Sequence, residues 1–370
     1  MAYPHPALIQ IAAGRPGGVV ADSNALVESA LQHRMAGLAF EAASAGDLQL
    51  DASARHTLAA VKLAGAAHNA NVGRAAAGVV AELRTRGWEA AVFKGIATAQ
   101  RWYPTPGTRP TADVDLLLSP DTSRNIDELL AHFAPDHGLL GKAQRLCDAG
   151  RIQSVDFIWE DVWIDVHTDP IKVGIDLPNS DDLWRRVEPM ELEGKEVLVL
   201  DAEATLLQSV LHLQKDRFSR LHGFADIARI AASGLDWDWI QEFAKHAGLS
   251  IHLNEALRVV SEVLSIDLPY DSAESSRLWR VIWSERTRLR GDVGLTRKVR
   301  THYWIPLTMP GRRLDALKYW SRIVIPPADI VDYMHPDTAG PYPWRVVQYR
   351  SRLARERHQR NKEQRRIGAL

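Results

Sequence analysis

Hydrophobic and polar positions alternate with different periods in different parts of the chain. Over the first ~85 residues the apolar positions follow a helical period. Ala25 to Ala45 is rich in Ala, Leu, Met and Glu, all good helix formers. Asp51 is placed to cap a second long helix, with room for a break near Gly73, that runs to Arg86 and stops at Gly87. The texture then changes. Glu89 to Phe93 is a short apolar run that reads as a strand, Ile96 to Trp102 as one or two helical turns, and Tyr103 to Gly107 as turn chemistry. Ala112 to Leu118 reads as a strand closed by Ser119-Pro120, and Asp121 to Phe133 as a capped helix. Ile152 to His167 reads as two strands joined around Glu160-Asp161.

From Ala202 the helical period returns, with helices expected over Ala202–Gln214, Leu221–Ala232, Asp236–Ala247 and Asn254–Leu264. Arg277 to Arg300 reads as a helix that is basic on one side. Prolines between Pro306 and Pro343 make the next stretch loop-rich, and Arg350 to Arg366 is a charge run. The expected fold is therefore α+β: a small mixed sheet flanked by N-terminal helices and a C-terminal helical subdomain. The expected divisions are 1–88 (helical), 89–200 (catalytic core), 201–330 (helical subdomain) and 331–370 (loop and basic tail).

Composition narrows the choice of function. The chain of 370 residues is 46% hydrophobic and 25% charged, ordinary for a globular protein. Its net charge of −1 gives no global field for nucleic acid or membrane, so electrostatic recognition must be local. No apolar run approaches the ~20 residues of a membrane span, and the N-terminus has no signal-peptide pattern. The single cysteine, Cys147, allows no intrachain disulfide and lies in no catalytic signature; with the missing signal this points to a cytoplasmic setting.

The chemistry is concentrated in Thr111-Ala-Asp113-Val-Asp115-Leu-Leu-Leu118. Alternation along a strand sends Asp113 and Asp115 to one face and Val114 and Leu116 to the other. Two carboxylates one strand step apart repel, which a divalent cation relieves. Mg2+, or Mn2+, suits oxygen ligands and substrate phosphates. Trp163-Ile-Asp165-Val-His167 also alternates. If that strand neighbours the first, Asp165 completes a triad able to hold two metals about 3.5–4 Å apart, or accepts a nucleophile's proton. His167, on the same face, reads as a metal ligand, a general base or a packing residue. Lys94-Gly95 opens a helix where backbone amides meet a phosphate, and Arg109 adds a forked donor. Trp102 and Tyr103 read either as base-stacking or as core residues.

Taken together, Phe93-Lys-Gly95, Arg101-Trp-Tyr103-Pro, Arg109-Pro, Asp113-Val-Asp115-Leu-Leu and Ile164-Asp165-Val-His167 resemble the uncharacterised nucleotidyltransferase family of bacteria, a branch of the polymerase-beta-like superfamily. The resemblance runs from about residue 25 to about residue 330. It implies a short mixed sheet carrying Asp113, Asp115 and Asp165 as metal ligands, with Gly95 as the phosphate-turn glycine. Where the wider superfamily usually has Gly-Ser or Gly-Gly in that turn, this chain has Lys94-Gly95-Ile96. A later segment, Leu211 to Leu221 followed by Asp226, is also family-like. There Lys215 and Arg220 read either as phosphate-binding cations from the helical subdomain or as a solvated face ion-paired to Asp226. The implied activity is transfer of a nucleoside monophosphate from a nucleoside triphosphate, ATP on grounds of abundance, to an unidentified small-molecule, peptide or protein acceptor. The alternatives are a non-catalytic nucleotide-binding regulator or scaffold, and an RNA-directed enzyme using the basic tail.

Overall fold

The computed structural model describes residues 3–103, 105–148, 150, 152–171, 180–271, 309, 312–326, 328–334, 340–348 and 351–352. A mixed six-stranded sheet lies at the centre. Its strands are β3 (Ala90–Phe93), β4 (Val114–Leu118), β5 (Ser154–Trp159), β6 (Val162–His167), β7 (Val187–Leu192) and β8 (Lys195–Leu200), in the order β5-β6-β4-β3-β8-β7. β4 runs parallel to β6 and antiparallel to β3, and β3 runs parallel to β8. Two short strands near the N-terminus, β1 (Gly18–Val19) and β2 (Leu48–Gln49), pair with each other. The architecture is α+β, as expected.

Alternation along β4 divides the molecule into layers. Val114, Leu116 and Leu118 enter a core with Val92, Val166 and Val199, covered by α4 (Ala52–Thr85) and α6 (Ile126–Phe133). Leu117, Phe93 and Leu200 face a second core. That core is built by α1 (Pro6–Ala12), α2 (Ser23–Gln32) and α3 (Ala36–Ala45), with α9 (Ala202–Lys215), α10 (Leu221–Ala231), α11 (Trp237–His246) and α12 (Ser250–Leu264). The N-terminal helices and the helices after residue 201 thus share one apolar interior, with α1 against α10 and α12.

Several boundaries differ from the sequence pattern for identifiable reasons. Ala25–Ala45 is two helices, α2 and α3, because the chain turns at Arg34 with φ 57°. The break near Gly73 does not occur: α4 runs unbroken from its cap, where Asp51 Oδ1 accepts from the Ala54 amide at 2.8 Å. Gly73 is instead where the Glu193 turn rests on α4; a Cβ there would lie 3.0 Å from Glu193 Cγ. The strand expected from Ala112 starts at Val114, and α12 begins at Ser250, earlier than Asn254. The β5–β6 turn is as expected, with Glu160 and Asp161 both at positive φ, the backbone of a tight hairpin. The hairpin β7–β8 has no counterpart in the sequence reading. Within the proline-rich stretch expected to be loop, Arg313–Val324 and Ala328–Met334 are helices. The expected basic helix 277–300 lies outside the described residues, as does the charge run 350–366 except for Ser351 and Arg352.

One close approach fixes the loop that leads into β4. Gly107, at φ 78°, sits where α3 crosses α4, and a Cβ there would lie 2.3 Å from the Lys62 carbonyl oxygen. From the other side, a Cβ on Gly37 of α3 would lie 2.4 Å from the Gly107 carbonyl oxygen. Backbone cannot yield cheaply to such contacts, so Gly37→Ala is expected to cost about 3 kcal/mol or more, read as a fall in the urea midpoint at unchanged m. A midpoint within error of wild type would show that α3 and the loop can part without cost.

Candidate active site

The register places the acids. Asp115 on β4 is the Cα partner of Asp165 on the parallel neighbour β6, and Leu117 is the partner of His167. Phe93, at the end of β3, pairs with Asp115 from the other side, so Lys94 follows directly beside that row. Lys94 adopts φ 56° and ψ −136° as the N-cap of α5 (Gly95–Trp102). Only glycine takes that conformation freely, and a side chain held there costs on the order of 1–3 kcal/mol.

Lys94 Nζ donates to Asp115 Oδ1 at 2.7 Å, and the same oxygen lies 2.8 Å from His167 Nε2. His167 Nε2 is also 3.1 Å from Asp165 Oδ2. Ligand atoms of Asp115, Asp165 and His167 all fall within 4.8 Å of one another. Burial alone would push the Asp115 carboxyl up; the Lys94 ammonium and the His167 hydrogen bond outweigh it and hold the carboxyl at about 2. Asp113, just ahead of β4, lines the same cavity outside that tight cluster. Burial, then the charges of Asp115 and Asp165, raise its carboxyl against the pull of Lys94 and Arg34.

That rise has a consequence for stability. A carboxyl whose folded pKa lies above its unfolded value favours the fold below the unfolded value, and the benefit is lost as pH rises through the folded value. At pH 7 the Asp113 charge therefore opposes folding. Without divalent ions, Asp113→Asn is expected to raise Tm by roughly one to three degrees at pH 7, with the gain vanishing towards pH 4. A lower Tm at pH 7 would contradict it.

The cavity is about 350 Å³, within the range of small-molecule sites. One wall carries Asp113, Asp115, Asp165 and His167. The other carries Lys215 and Arg220 from α9 and the start of α10, with Arg34 from the α2–α3 turn. Burial lowers the pKa of Lys215, with Lys94 adding to the effect, and its ammonium makes no hydrogen bond or ion pair among the described residues. Burial also lowers the pKa of Arg34, and Arg220 adds to it. Cations gathered this way form a ready site for an anion with several negative oxygens.

Arg109 also lines the cavity, but most of its fork is engaged. Nε and Nη2 donate to the two carboxylate oxygens of Asp226 at 2.8 Å each, and Nη1 donates to the Gly95 carbonyl at 2.8 Å. Asp226 therefore pairs with Arg109 and accepts from the Tyr103 hydroxyl, rather than serving Lys215 or Arg220. Tyr103 is a buried core residue. Asn69 of α4 completes the frame: its side chain donates to the Arg109 carbonyl and accepts from Thr111, at 2.8 and 2.9 Å. Gly95 faces the cavity, and a Cβ there would meet Asp113 and Thr111 at an ordinary 3.7 Å. His212 pairs with Asp216, whose carboxyl is held at about 2 despite burial. Burial, helped by Arg109, Arg34 and Arg220, pushes the His222 imidazole down to about 3 against the pull of Asp226, so the ring is neutral. Burial pushes the Cys147 thiol up to about 12, which fits an unreactive residue.

Arg34 and His222 went unread in the sequence. Arg34 precedes a helix far from every motif, and the α2–α3 turn that brings it to the cavity meets the start of α10, where the His222 amide donates to the His33 carbonyl. A weak signal existed in Lys215 and Arg220, which needed a third cation no local pattern supplies.

The fold is thus α+β, with acids on adjacent parallel strands, a helix opening beside them and Arg34, Lys215 and Arg220 lining the same cavity. The chain belongs to the family of uncharacterised nucleotidyltransferases, whose model matches residues 20–265. The match starts near the expected residue 25 and ends well short of 330. Among solved structures the chain is similar to the crystal structure of an antigenic nucleotidyltransferase-like protein from Paracoccidioides brasiliensis, at 14% identity and a TM-score of 0.33, covering 55% of this chain and 95% of that one. No curated protein matches the chain significantly. No helix among the described residues is long and apolar enough to cross a membrane.

Proposed function

We propose that the protein transfers a nucleoside monophosphate, AMP from ATP in the first instance, to a hydroxyl or similar group of a small-molecule, peptide or protein acceptor in the cytoplasm. The observation that carries this reading is the pairing of Asp115 with Asp165 in register, beside His167, across one cavity from Arg34, Lys215 and Arg220. Two carboxylates and an imidazole within 4.8 Å suit a divalent cation, and Asp113, whose carboxyl burial and then the Asp115 charge raise, stands beside them. Asp115 and Asp165 would hold Mg2+ or Mn2+, with Asp113 and His167 alongside. Such an ion would polarise the triphosphate and stabilise charge on the departing pyrophosphate.

The remaining work falls to the chain itself. Lys215, Arg220 and Arg34 meet phosphate oxygens, and the first-turn amides of α5 receive one at Gly95. Arg109 fixes that turn by holding the Gly95 carbonyl. Asp165 is more open than Asp115, with side-chain exposures of 26% and 10%, and is the better placed to take the acceptor's proton.

A second reading, a nucleotide-binding regulator without catalysis, is favoured by one observation: the Lys94 ammonium already sits on Asp115. Calorimetry separates the two readings. Titrating ATP and then the other triphosphates, with and without Mg2+, should show Mg2+-strengthened binding in wild type and none in Asp113→Ala/Asp115→Ala. Weak binding indifferent to Mg2+ in both proteins would favour the regulator. No binding of any triphosphate with Mg2+ or Mn2+ would sink the transfer reading.

A further inference from the structure

We propose that Lys94 is the resident counter-ion of the metal site: without metal its ammonium fills the cation position between Asp115 and His167, and arrival of a divalent ion with a triphosphate moves it from the carboxylate to a phosphate oxygen. The inference rests on the proposed reading of the site as a metal–triphosphate centre.

Three observations converge on it. Lys94 Nζ lies 2.7 Å from Asp115 Oδ1 and 3.3 Å from His167 Nε2, so it contacts two of the three residues that form the tight ligand cluster. The ammonium also lies over the Phe93 ring, 4.5 Å from its centroid, and the side chain is largely covered. A divalent ion on Asp115 and an ammonium in hydrogen-bond contact with the same oxygen repel strongly in so enclosed a place. One of them must leave.

The backbone around Lys94 is itself held in place. Lys94 keeps φ 56° where glycine would be unstrained, and α5 is fixed around it by the Thr98 amide on the Lys94 carbonyl and by Arg109 on the Gly95 carbonyl. A lysine on strained backbone, directly preceding the phosphate turn, stands beside the acids and beside any phosphate held at the first-turn amides. Its flexible stem lets the ammonium swing while the backbone stays still. Lys215 lines the same cavity and already feels the charge of Lys94, so a phosphate between them would meet two ammonium groups.

The device would keep the acids neutralised between turnovers and couple metal entry to nucleotide entry. A bare ion must expel Lys94 with nothing to receive it, whereas an ion arriving with a triphosphate brings Lys94 its new partner.

The test uses the full-length protein, Mn2+ as the probe and α,β-methylene-ATP as the triphosphate. Free Mn2+ is read by electron paramagnetic resonance in wild type, Lys94→Met, Lys94→Arg and Asp115→Asn, the Mn2+ taken up by the analogue alone being measured without protein and subtracted, and Tm is followed for each. Wild type should bind Mn2+ weakly alone and about tenfold or more tightly with the analogue present. Lys94→Met should bind Mn2+ alone about tenfold more tightly than wild type and lose most of the gain from the analogue. Its Tm should fall without metal and recover on adding Mn2+. Lys94→Arg, which keeps the charge, should stay near wild type in bare Mn2+ affinity. If Lys94→Met, still folded, binds Mn2+ no better than wild type, the counter-ion role is wrong while the metal site stands. If neither wild type nor Lys94→Met binds Mn2+ or the analogue, both the counter-ion role and the transfer reading fall. Asp115→Asn should bind no Mn2+ in either condition; retained binding would move the ion away from Lys94 and overturn the proposal.

Discussion

Asp115→Asn is expected to abolish nucleotidyl transfer, by on the order of 10³-fold or more, while leaving the fold in place. Asparagine keeps the shape and loses the charge. Asp115 sits at the centre of the cluster: its Oδ1 takes Lys94 Nζ and His167 Nε2, and its Cα is in register with that of Asp165. Removing that charge leaves the Lys94 ammonium without its carboxylate and the row of acids without the one held at about 2. The readout is pyrophosphate released from ATP with Mn2+, with cell extract supplying the acceptor, compared at equal folded protein by circular dichroism. Asp165→Asn should lose a comparable amount. The double variant should be little worse than either single one, because residues that act as one unit do not lose activity additively. Residual activity above about a tenth of wild type in folded Asp115→Asn would place the chemistry elsewhere.

Much of this site could be read from period and spacing. The alternation around Asp113, Asp115 and Asp165 told which face each acid takes, and Phe93-Lys-Gly95 told where the helix opens. The adjacency of β4 and β6 could only be posed as a condition, because parallel pairing joins segments separated by a long connection with no local signal. The hairpin β7–β8 escaped for a different reason. Pro189 interrupts the first strand, and proline argues against a strand unless it lies at a sheet edge, which is where β7 lies. Glu193-Gly194 then supplies two positive-φ turn residues, a hairpin signal too short to stand against the proline.

The cationic wall was legible only in part. Lys215 and Arg220 fall in a recognisable segment, but Arg34 depends on how α2 and α3 turn and dock. Asp226 shows the same limit from the other side. Its sequence neighbours suggest Lys215 or Arg220 as partner, whereas the fold delivers Arg109 from more than a hundred residues away. Charge alone does not choose partners; the frame formed by Asn69, Gly107 and Tyr103 presents Arg109 to Asp226 and leaves Lys215 facing the cavity.

Asp226→Asn should be strongly destabilising, costing about 3–5 kcal/mol. Asp226 is buried and accepts both arms of Arg109 and the Tyr103 hydroxyl. In the asparagine variant an amide N–H group would face a guanidinium donor, and a buried positive charge would lose its partner. Although burial would raise it, the Arg109 guanidinium, with help from the Tyr103 hydroxyl, holds the Asp226 carboxyl below the ordinary aspartate value. A depressed carboxyl contributes stability above its unfolded pKa and loses it as pH falls through the folded value. The gap between wild type and variant, from urea unfolding, should therefore be full at pH 6–7 and narrow only in acid, as the wild-type carboxyl protonates and Arg109 is stranded in both proteins. A gap that stays constant down to pH 3 would mean that shape rather than charge holds the contact. The same variant should weaken triphosphate binding without touching an acid of the site, since Arg109 also carries the Gly95 carbonyl and with it the start of α5. Pairing it with Arg109→Gln should cost less than the two single changes summed, because the second removes the charge that the first leaves stranded.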